Sequence, residues 1–165
     1  MLRTRQLIPP LTMRTLAGRS VQAWDYKQKK NLVITFLHAG CASCADFLDR
    51  FISRAADLRE AQAIALIVYR ETPPRALEEP LPPEIVVGVD MSGRSLRAYI
   101  GEGTASSARL EPCGIFVADR YGELCTDWLV GPDHQMPGIA EILTCLGQIE
   151  MACEECGVPE WPAQG

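Results

Sequence analysis

One short segment constrains this chain more than any other: Gly40–Cys44, which reads Gly-Cys-Ala-Ser-Cys. The apolar run Leu32–Leu37 precedes it and predicts a strand that is covered on both faces of a sheet. Apolar residues at helical spacing follow it, from Ala45 to about Leu66. A Cys-x-x-Cys pair at a strand-to-helix junction is typical of a redox-active dithiol. The first cysteine then lies at a helix N-terminus, where backbone N–H groups and the helix dipole favour a thiolate.

The length and composition predict one globular domain. The 165 residues form a single domain over 1–165, with a flexible N-terminus at 1–8 and a C-terminal tail at 154–165. The apolar fraction of 47% and the charged fraction of 22% are ordinary for such a domain. A net charge of −5 gives no reason to expect nucleic acid as a partner. No run approaches the roughly 18 apolar residues of a membrane span, so no membrane association is expected.

The chain has seven cysteines, and their interpretation depends on the compartment. The N-terminal segment Met1–Pro10 is basic but lacks the apolar core of a signal peptide, so we expect a cytoplasmic location. In a reducing compartment, paired cysteines are more often catalytic, redox-sensing or metal-bound than structural. Because seven is an odd number, at least one thiol stays unpaired in a monomer.

The remaining patterns predict helices that alternate with buried strands. A turn signal at Gly18 indicates a short N-terminal hairpin, and the proline-rich segment Glu71–Glu84 indicates a loop. The order β-β-α-β-β-α-β-β-α, closed by an antiparallel hairpin, is that of an α/β protein with a mixed sheet. The predicted elements after the first helix are strands at Ala63–Tyr69, Ile85–Asp90, Cys113–Ala118 and Glu123–Leu129, and helices at Ser92–Ile100 and from Ile139 onward.

The chain resembles the thioredoxin-like superfamily in its redoxin branch, which includes alkyl hydroperoxide reductase/thiol-specific antioxidant (AhpC/TSA) proteins and cytochrome-maturation thioredoxins. The resemblance covers about residues 9–152. It is carried by Thr15–Val21, by Asp25-Tyr26, by Leu32–Leu37 followed by Gly40–Cys44, and by the hairpin segment Ile115–Leu124. It implies a thioredoxin-like fold, with a central mixed β-sheet flanked by helices and extended by an N-terminal hairpin.

The resemblance also implies a thiol–disulfide oxidoreductase. Cys41 would be the attacking thiol of low pKa, and Cys44 the resolving thiol that breaks the mixed disulfide. The implied partners are a protein or small-molecule disulfide or peroxide and a thiol reductant, with no cofactor and no metal; a homodimer is left open. Two alternatives remain: a thiol peroxidase, and a non-catalytic module that binds a metal or a partner protein through its thiols.

The segment departs from the family pattern at three positions. Gly40 replaces the usual Trp before the first cysteine, and Thr35 stands where many thioredoxins have a buried acid. The position of the cis-proline falls at Cys113, with Pro112 one residue before it. Either the strand is shifted by one residue and Pro112 is cis, or Cys113 faces the dithiol as a third cysteine. We favour the second arrangement.

The peroxidase alternative is less favoured because the peroxiredoxin signature Pro-x-x-x-Thr/Ser-x-x-Cys is absent from the sequence. Counted back from Cys44, its Pro position falls at Leu37 and its Thr position at Cys41.

His38 lies three residues before Cys41, and two interpretations stay open for it. As an imidazolium it would lower the pKa of the Cys41 thiol. As a residue at the end of a strand it would only cap the loop.

Four further cysteines lie outside the motif and Cys113. Cys153 and Cys156 lie at the end of the last predicted helix. Three interpretations stay open: two reduced thiols, a second redox pair, or two ligands that complete a four-cysteine zinc site with Cys41 and Cys44. Cys125 and Cys145 occupy strand and helix positions and are expected to be small core residues.

Overall fold

The computed structural model describes residues 2, 4–73, 80–101, 113–131 and 135–151. Within these ranges, helices and strands alternate as the sequence predicts, and the N-terminal hairpin contributes two strands where the predicted order counts one. The strands are β1 (Thr12–Thr15), β2 (Ser20–Gln22), β3 (Asn31–Leu37), β4 (Ala63–Tyr69), β5 (Ile85–Val89), β6 (Cys113–Ala118) and β7 (Leu124–Val130). The helices are α1 (Ala42–Ser53), α2 (Ala55–Glu60), α3 (Arg94–Ile100) and α4 (Ile139–Met151), with a 3₁₀ turn at Ala23–Tyr26.

The described strands form one mixed sheet of seven strands in the order β2-β1-β5-β4-β3-β6-β7. β3, β4 and β5 are parallel, and every other pairing is antiparallel. The central position predicted for β3 is confirmed, since every residue from Asn31 to Leu37 is buried. The register pairs Phe36 with Gly114, which brings the start of β6 to the end of β3 where the Cys-x-x-Cys segment begins.

Both predicted hairpins are present because each has a glycine where the backbone turns. Gly18 adopts a φ of 83°, and Thr15 donates its N–H to the carbonyl of Arg19 across the turn. Gly122 adopts a φ of 88° in the turn between β6 and β7. Positive φ angles of this kind cost glycine least, because it has no Cβ. The first turn holds β2 at one edge of the sheet, and the second holds β7 at the other.

Side chains alternate between two apolar layers, one on each face of the sheet. Val33 and Leu37 pack with α1, α2 and α4 in one layer. Leu32 and Phe36 pack with α3 and the N-terminal segment in the other. Burial on both faces explains why the central strands are apolar without interruption. The layer with α1 and α4 also contains Cys44 and Cys113.

The first helix differs from its prediction at both ends. It begins at Ala42, within the Cys-x-x-Cys segment, and it ends at Ser53. Arg54 leaves helical geometry with a φ of −109° and a ψ of 20°, and the short helix α2 follows. The predicted continuation to about Leu66 is wrong, because Gln62 turns with a φ of 48° and β4 begins at Ala63.

The flexible N-terminus predicted over residues 1–8 is held to the body in part. Arg5 donates its N–H to the carbonyl of Leu124 at 2.8 Å, Leu7 bridges Glu123, and Ile8 is buried. Pro112 and the predicted tail at 154–165 lie outside the described residues. In the part of the chain that the structure describes, no helix is both long and apolar enough to cross a membrane.

Candidate active site

The N-terminus of α1 is built around Cys41. Cys41 has extended backbone geometry and is the N-cap residue, and its Sγ accepts the backbone N–H of Cys44 at 3.3 Å. An N-cap side chain that accepts this N–H satisfies one of the donors left open at a helix start. Cys41 is half-buried, whereas Gly40, Ala42 and Ser43 are exposed around it. Its sulfur is therefore the one in the dithiol that faces solvent.

Cys44 lies one helical turn further, on the buried side of α1. It has no solvent exposure, and neither has Cys113 at the start of β6. The two sulfur atoms are 3.5 Å apart. Cys41 also hydrogen-bonds the sulfur of Cys44 through its side chain. Cys44 is thus the central member of three thiols, with Cys41 on its solvent side and Cys113 on its buried side.

The three thiols differ in acidity, and the order is not the one that the resemblance implies. The Cys113 thiol donates to Cys44 and lowers the pKa of Cys44 to about 5, against the opposing effect of burial. The pKa of Cys41 is instead raised, first by burial and then by its hydrogen bond to Cys44. The pKa of Cys113 is strongly raised, because it donates to Cys44 and is itself buried. The low pKa expected at Cys41 is therefore found at Cys44, because a single thiolate is stabilised most between two hydrogen-bond donors.

His38 and Tyr69 complete the surroundings of the sulfurs. The backbone N–H of His38 donates to Cys44 and to Cys113, and the charge of its imidazolium adds a smaller lowering of the Cys44 pKa. Tyr69 ends β4, next to β3, and is buried. Its pKa is raised by burial and then by the charge on Cys44. Tyr69 was not predicted as a site residue; only its place at a strand end next to Leu37 marks it in the sequence.

The other predicted residues lie apart from this cluster or outside the described residues. Cys125 on β7 and Cys145 on α4 are half-buried rather than core residues, and burial raises the pKa of both thiols. Pro112, Cys153 and Cys156 are outside the described ranges. Among the described residues, no group of three or more His, Cys, Asp or Glu side chains is arranged to hold a metal ion.

The two remaining departures from the family pattern have simple structural settings. A Cβ built on Gly40 would meet no atom within 4 Å, so the surface beside Cys41 is open where the family has its Trp. Thr35 is fully buried in β3, and its hydroxyl has no hydrogen-bond partner among the described residues.

Structural comparison identifies similar solved structures, although no protein-family model and no curated protein matches the sequence. One is assigned as the thiol:disulfide interchange protein DsbE from Chlorobium tepidum, at 19% identity and a TM-score of 0.65 over 89% of this chain and 100% of that one. Another is the thioredoxin domain of a thiol-disulfide oxidoreductase from Bacteroides vulgatus, at 17% identity and a TM-score of 0.63, over 92% and 98% of the two chains.

A third similar structure is the mitochondrial 2-Cys peroxiredoxin from Plasmodium falciparum, at 13% identity and a TM-score of 0.73 over 94% of this chain and 100% of that one. These likenesses confirm the thioredoxin-like fold that the sequence predicts. At such identities they establish the fold, and the reaction has to be argued from the thiols themselves.

Proposed function

We propose that the protein is a thiol–disulfide oxidoreductase in which Cys41 attacks the substrate and Cys44 resolves the mixed disulfide. The observation that carries this proposal is the pairing of a half-exposed Cys41 at the start of α1 with a fully buried Cys44 directly behind it. Only Cys41 of the two can meet a substrate sulfur at the surface. Only Cys44 is held where it can attack Cys41 from within.

The first step uses the shared charge of the dithiol. Cys41 is hydrogen-bonded to Cys44, whose thiolate is favoured by Cys113 and His38. As a substrate disulfide approaches, the proton of Cys41 passes to the Cys44 sulfur, and the Cys41 thiolate attacks one substrate sulfur. The substrate S–S bond breaks, a Cys41–substrate disulfide forms, and the other substrate sulfur leaves as a thiolate.

The second step returns the charge to Cys44. Because the pKa of Cys44 is about 5, Cys44 gives the proton it received to the departing substrate thiolate at neutral pH. The Cys44 thiolate then attacks the sulfur of Cys41. A Cys41–Cys44 bond forms, the mixed disulfide breaks, and the second substrate sulfur leaves as a thiolate that takes a proton from water. The substrate disulfide has been reduced to two thiols, and the dithiol has become a Cys41–Cys44 disulfide that an external thiol reductant restores.

The open surface around Cys41 supports a protein or a small-molecule disulfide as substrate. The neighbours Gly40, Ala42 and Ser43 are small and exposed, so among the described residues no large side chain of this segment covers the half-buried Cys41. The proposal includes a cytoplasmic location, where thiol reductants are present to reduce the Cys41–Cys44 disulfide.

Turnover measurements with matched cysteine variants test the proposal. Insulin reduction in the presence of a thiol reductant is measured for the wild-type protein and for C41S, C44S and C125S. We expect C41S and C44S to fall to the rate without protein. C125S should keep the wild-type rate, because Cys125 lies on β7 away from the three thiols. Wild-type turnover by C41S contradicts the proposal.

The same variants separate the two alternatives. A thiol peroxidase consumes hydrogen peroxide much faster than free cysteine does, while insulin stays intact. A non-catalytic module shows neither activity, and a purified sample then contains stoichiometric zinc or keeps both thiols reduced in mild oxidant.

A further inference from the structure

We infer that Cys113 is a second disulfide partner of Cys44, so that the oxidised site exchanges between a Cys41–Cys44 and a Cys44–Cys113 disulfide. This inference deepens the proposed function and rests on it for the origin of the first disulfide. It assigns Cys113 a thiol-exchange role that a proline at the same place in the fold could not perform. The result is an oxidised protein that still presents a reactive Cys41 at its surface.

The distances in the buried layer carry the inference. The sulfurs of Cys44 and Cys113 are 3.5 Å apart, in contact and without an intervening atom. A disulfide brings two sulfurs to about 2.05 Å, so closure needs the two sulfurs to approach by about 1.5 Å. Both side chains lie in one apolar layer from which solvent is excluded. Water and external thiols therefore have no access to the Cys44–Cys113 bond without local opening.

The exchange is balanced without any further oxidant. The sulfur of Cys113 loses its proton and attacks the sulfur of Cys44 in the Cys41–Cys44 disulfide. A Cys44–Cys113 bond forms, the Cys41–Cys44 bond breaks, and Cys41 leaves as a thiolate that takes up the proton. One disulfide is present before and after, so the protein is neither oxidised nor reduced.

Oxidation of the dithiol also removes two obstacles to this attack. In the reduced protein the pKa of Cys113 is raised first by its hydrogen bond to Cys44 and further by the negative charge of its neighbours. Once Cys44 is in a disulfide, its sulfur carries no negative charge and no longer draws a hydrogen bond from the Cys113 thiol. Burial still raises the Cys113 pKa, whereas the backbone N–H of His38 lowers it. The exchange is thus favoured only after the first disulfide has formed.

Disulfide mapping after acid quenching tests the inference. Wild-type, C41S, C113S and C125S proteins are oxidised with diamide, quenched in acid, alkylated at their remaining thiols in denaturant and digested without reduction. We expect C41S, which cannot form the first disulfide, to yield neither peptide pair. Wild-type protein should yield a Cys44–Cys113 pair together with the Cys41–Cys44 pair, and its Cys41 should be alkylated in the same fraction of molecules as carries the Cys44–Cys113 pair. C113S should yield only Cys41–Cys44, and C125S should match wild type.

The outcomes separate this inference from the proposed function. Oxidised wild-type protein whose only peptide pair is Cys41–Cys44 overturns the inference, whatever its turnover of insulin. A Cys44–Cys113 pair in oxidised wild type, with Cys41 alkylated in the same fraction of molecules, supports it, even if insulin reduction fails and overturns the proposed function. A Cys44–Cys113 pair in C41S at the wild-type yield would show that this bond forms without exchange, and would also overturn the inference.

Discussion

The sulfur atoms of Cys44 and Cys113 touch at 3.5 Å, although the two residues are 69 positions apart in the sequence. Cys44 lies in the first turn of α1, and Cys113 is the first residue of β6. Because Cys44 also accepts a hydrogen bond from Cys41, the negative charge of the reduced site is centred on the buried sulfur and not on the exposed one. This arrangement determines the acidity and the reactivity of the three thiols.

The reduced protein should contain one thiol that titrates near pH 5. The thiol of Cys113 donates to Cys44 and is the main cause of the lowered Cys44 pKa. C113A removes that donor, so we expect the apparent pKa to rise by one unit or more, an effect on the order of 1.4 kcal/mol per unit. Thiolate ultraviolet absorbance followed against pH measures it. C125A provides the control, and an unchanged titration in C113A contradicts the assignment.

The stability of the reduced protein should fall as the pH falls from about 9 to about 5. The pKa of Cys44 is about 5 in the folded protein against an ordinary 9.0, so the unfolded state binds more protons in this window. The raised pKa values of Cys41 and Cys113 have the opposite sign, and their contribution is lost only as the pH rises above the ordinary value.

Urea denaturation in the presence of a reductant, at about pH 8 and about pH 6, measures this dependence. We expect the free energy of unfolding to be about 1–3 kcal/mol greater at the higher pH than at the lower pH. C44A lacks the titrating thiol and should have a smaller difference between the two pH values. Equal differences in wild type and C44A would show that other groups cause the dependence.

Thr35→Val should stabilise the protein. The Thr35 hydroxyl is fully buried and has no partner among the described residues, so the folded state loses its hydration without a compensating hydrogen bond. Replacing it with a methyl group of similar shape should raise the free energy of unfolding by about 1 kcal/mol. Thr144→Val is the control, because the Thr144 hydroxyl donates to the Ala140 carbonyl on the surface of α4. Destabilisation of Thr35→Val in urea denaturation would reveal a hydrogen bond to this hydroxyl.

Gly88→Ala should weaken the pairing of the N-terminal hairpin with the sheet. A Cβ at Gly88 would lie 2.9 Å from the carbonyl oxygen of Arg14 in β1 and 2.9 Å from the Met13 side chain. We expect a loss of about 1–3 kcal/mol, because the backbone of β1 has to move away. Gly147→Ala is the matched control: its Cβ meets no atom within 4 Å on α4, so a gain of ~0.5–1 kcal/mol is expected. Equal thermal denaturation midpoints for the two variants contradict this view.

The strands and the location of the dithiol could be predicted from the sequence because the signals are local. Apolar runs identify the central strands, Gly18 and Gly122 identify two turns, and the spacing of Cys41 and Cys44 identifies the helix start. The contact between Cys44 and Cys113 is not local, and the sequence favours it only through the family resemblance, which places Cys113 opposite the dithiol. It depends on the register of β6 against β3, where Gly114 pairs with Phe36, and no periodicity specifies a register between distant strands.

Two features could not be predicted from the sequence pattern. The helix break at Arg54 has neither proline nor glycine to mark it, and the apolar spacing continues through it to Leu58. The distribution of charge among the three thiols depends on hydrogen bonds between sulfurs, which follow from packing. The sequence alone therefore predicted the low pKa at Cys41 instead of Cys44.

Trapping of the mixed disulfide tests whether Cys41 is the thiol that attacks the substrate. C44S lacks the resolving thiol, so a disulfide bound to Cys41 should persist. After incubation with glutathione disulfide, acid quenching and digestion without reduction, mass spectrometry identifies the modified cysteine. We expect glutathione on Cys41 of C44S, with Cys113 unmodified in the buried layer. Glutathione on Cys113, or on no cysteine of C44S while the wild-type protein reduces glutathione disulfide, would contradict this role of Cys41.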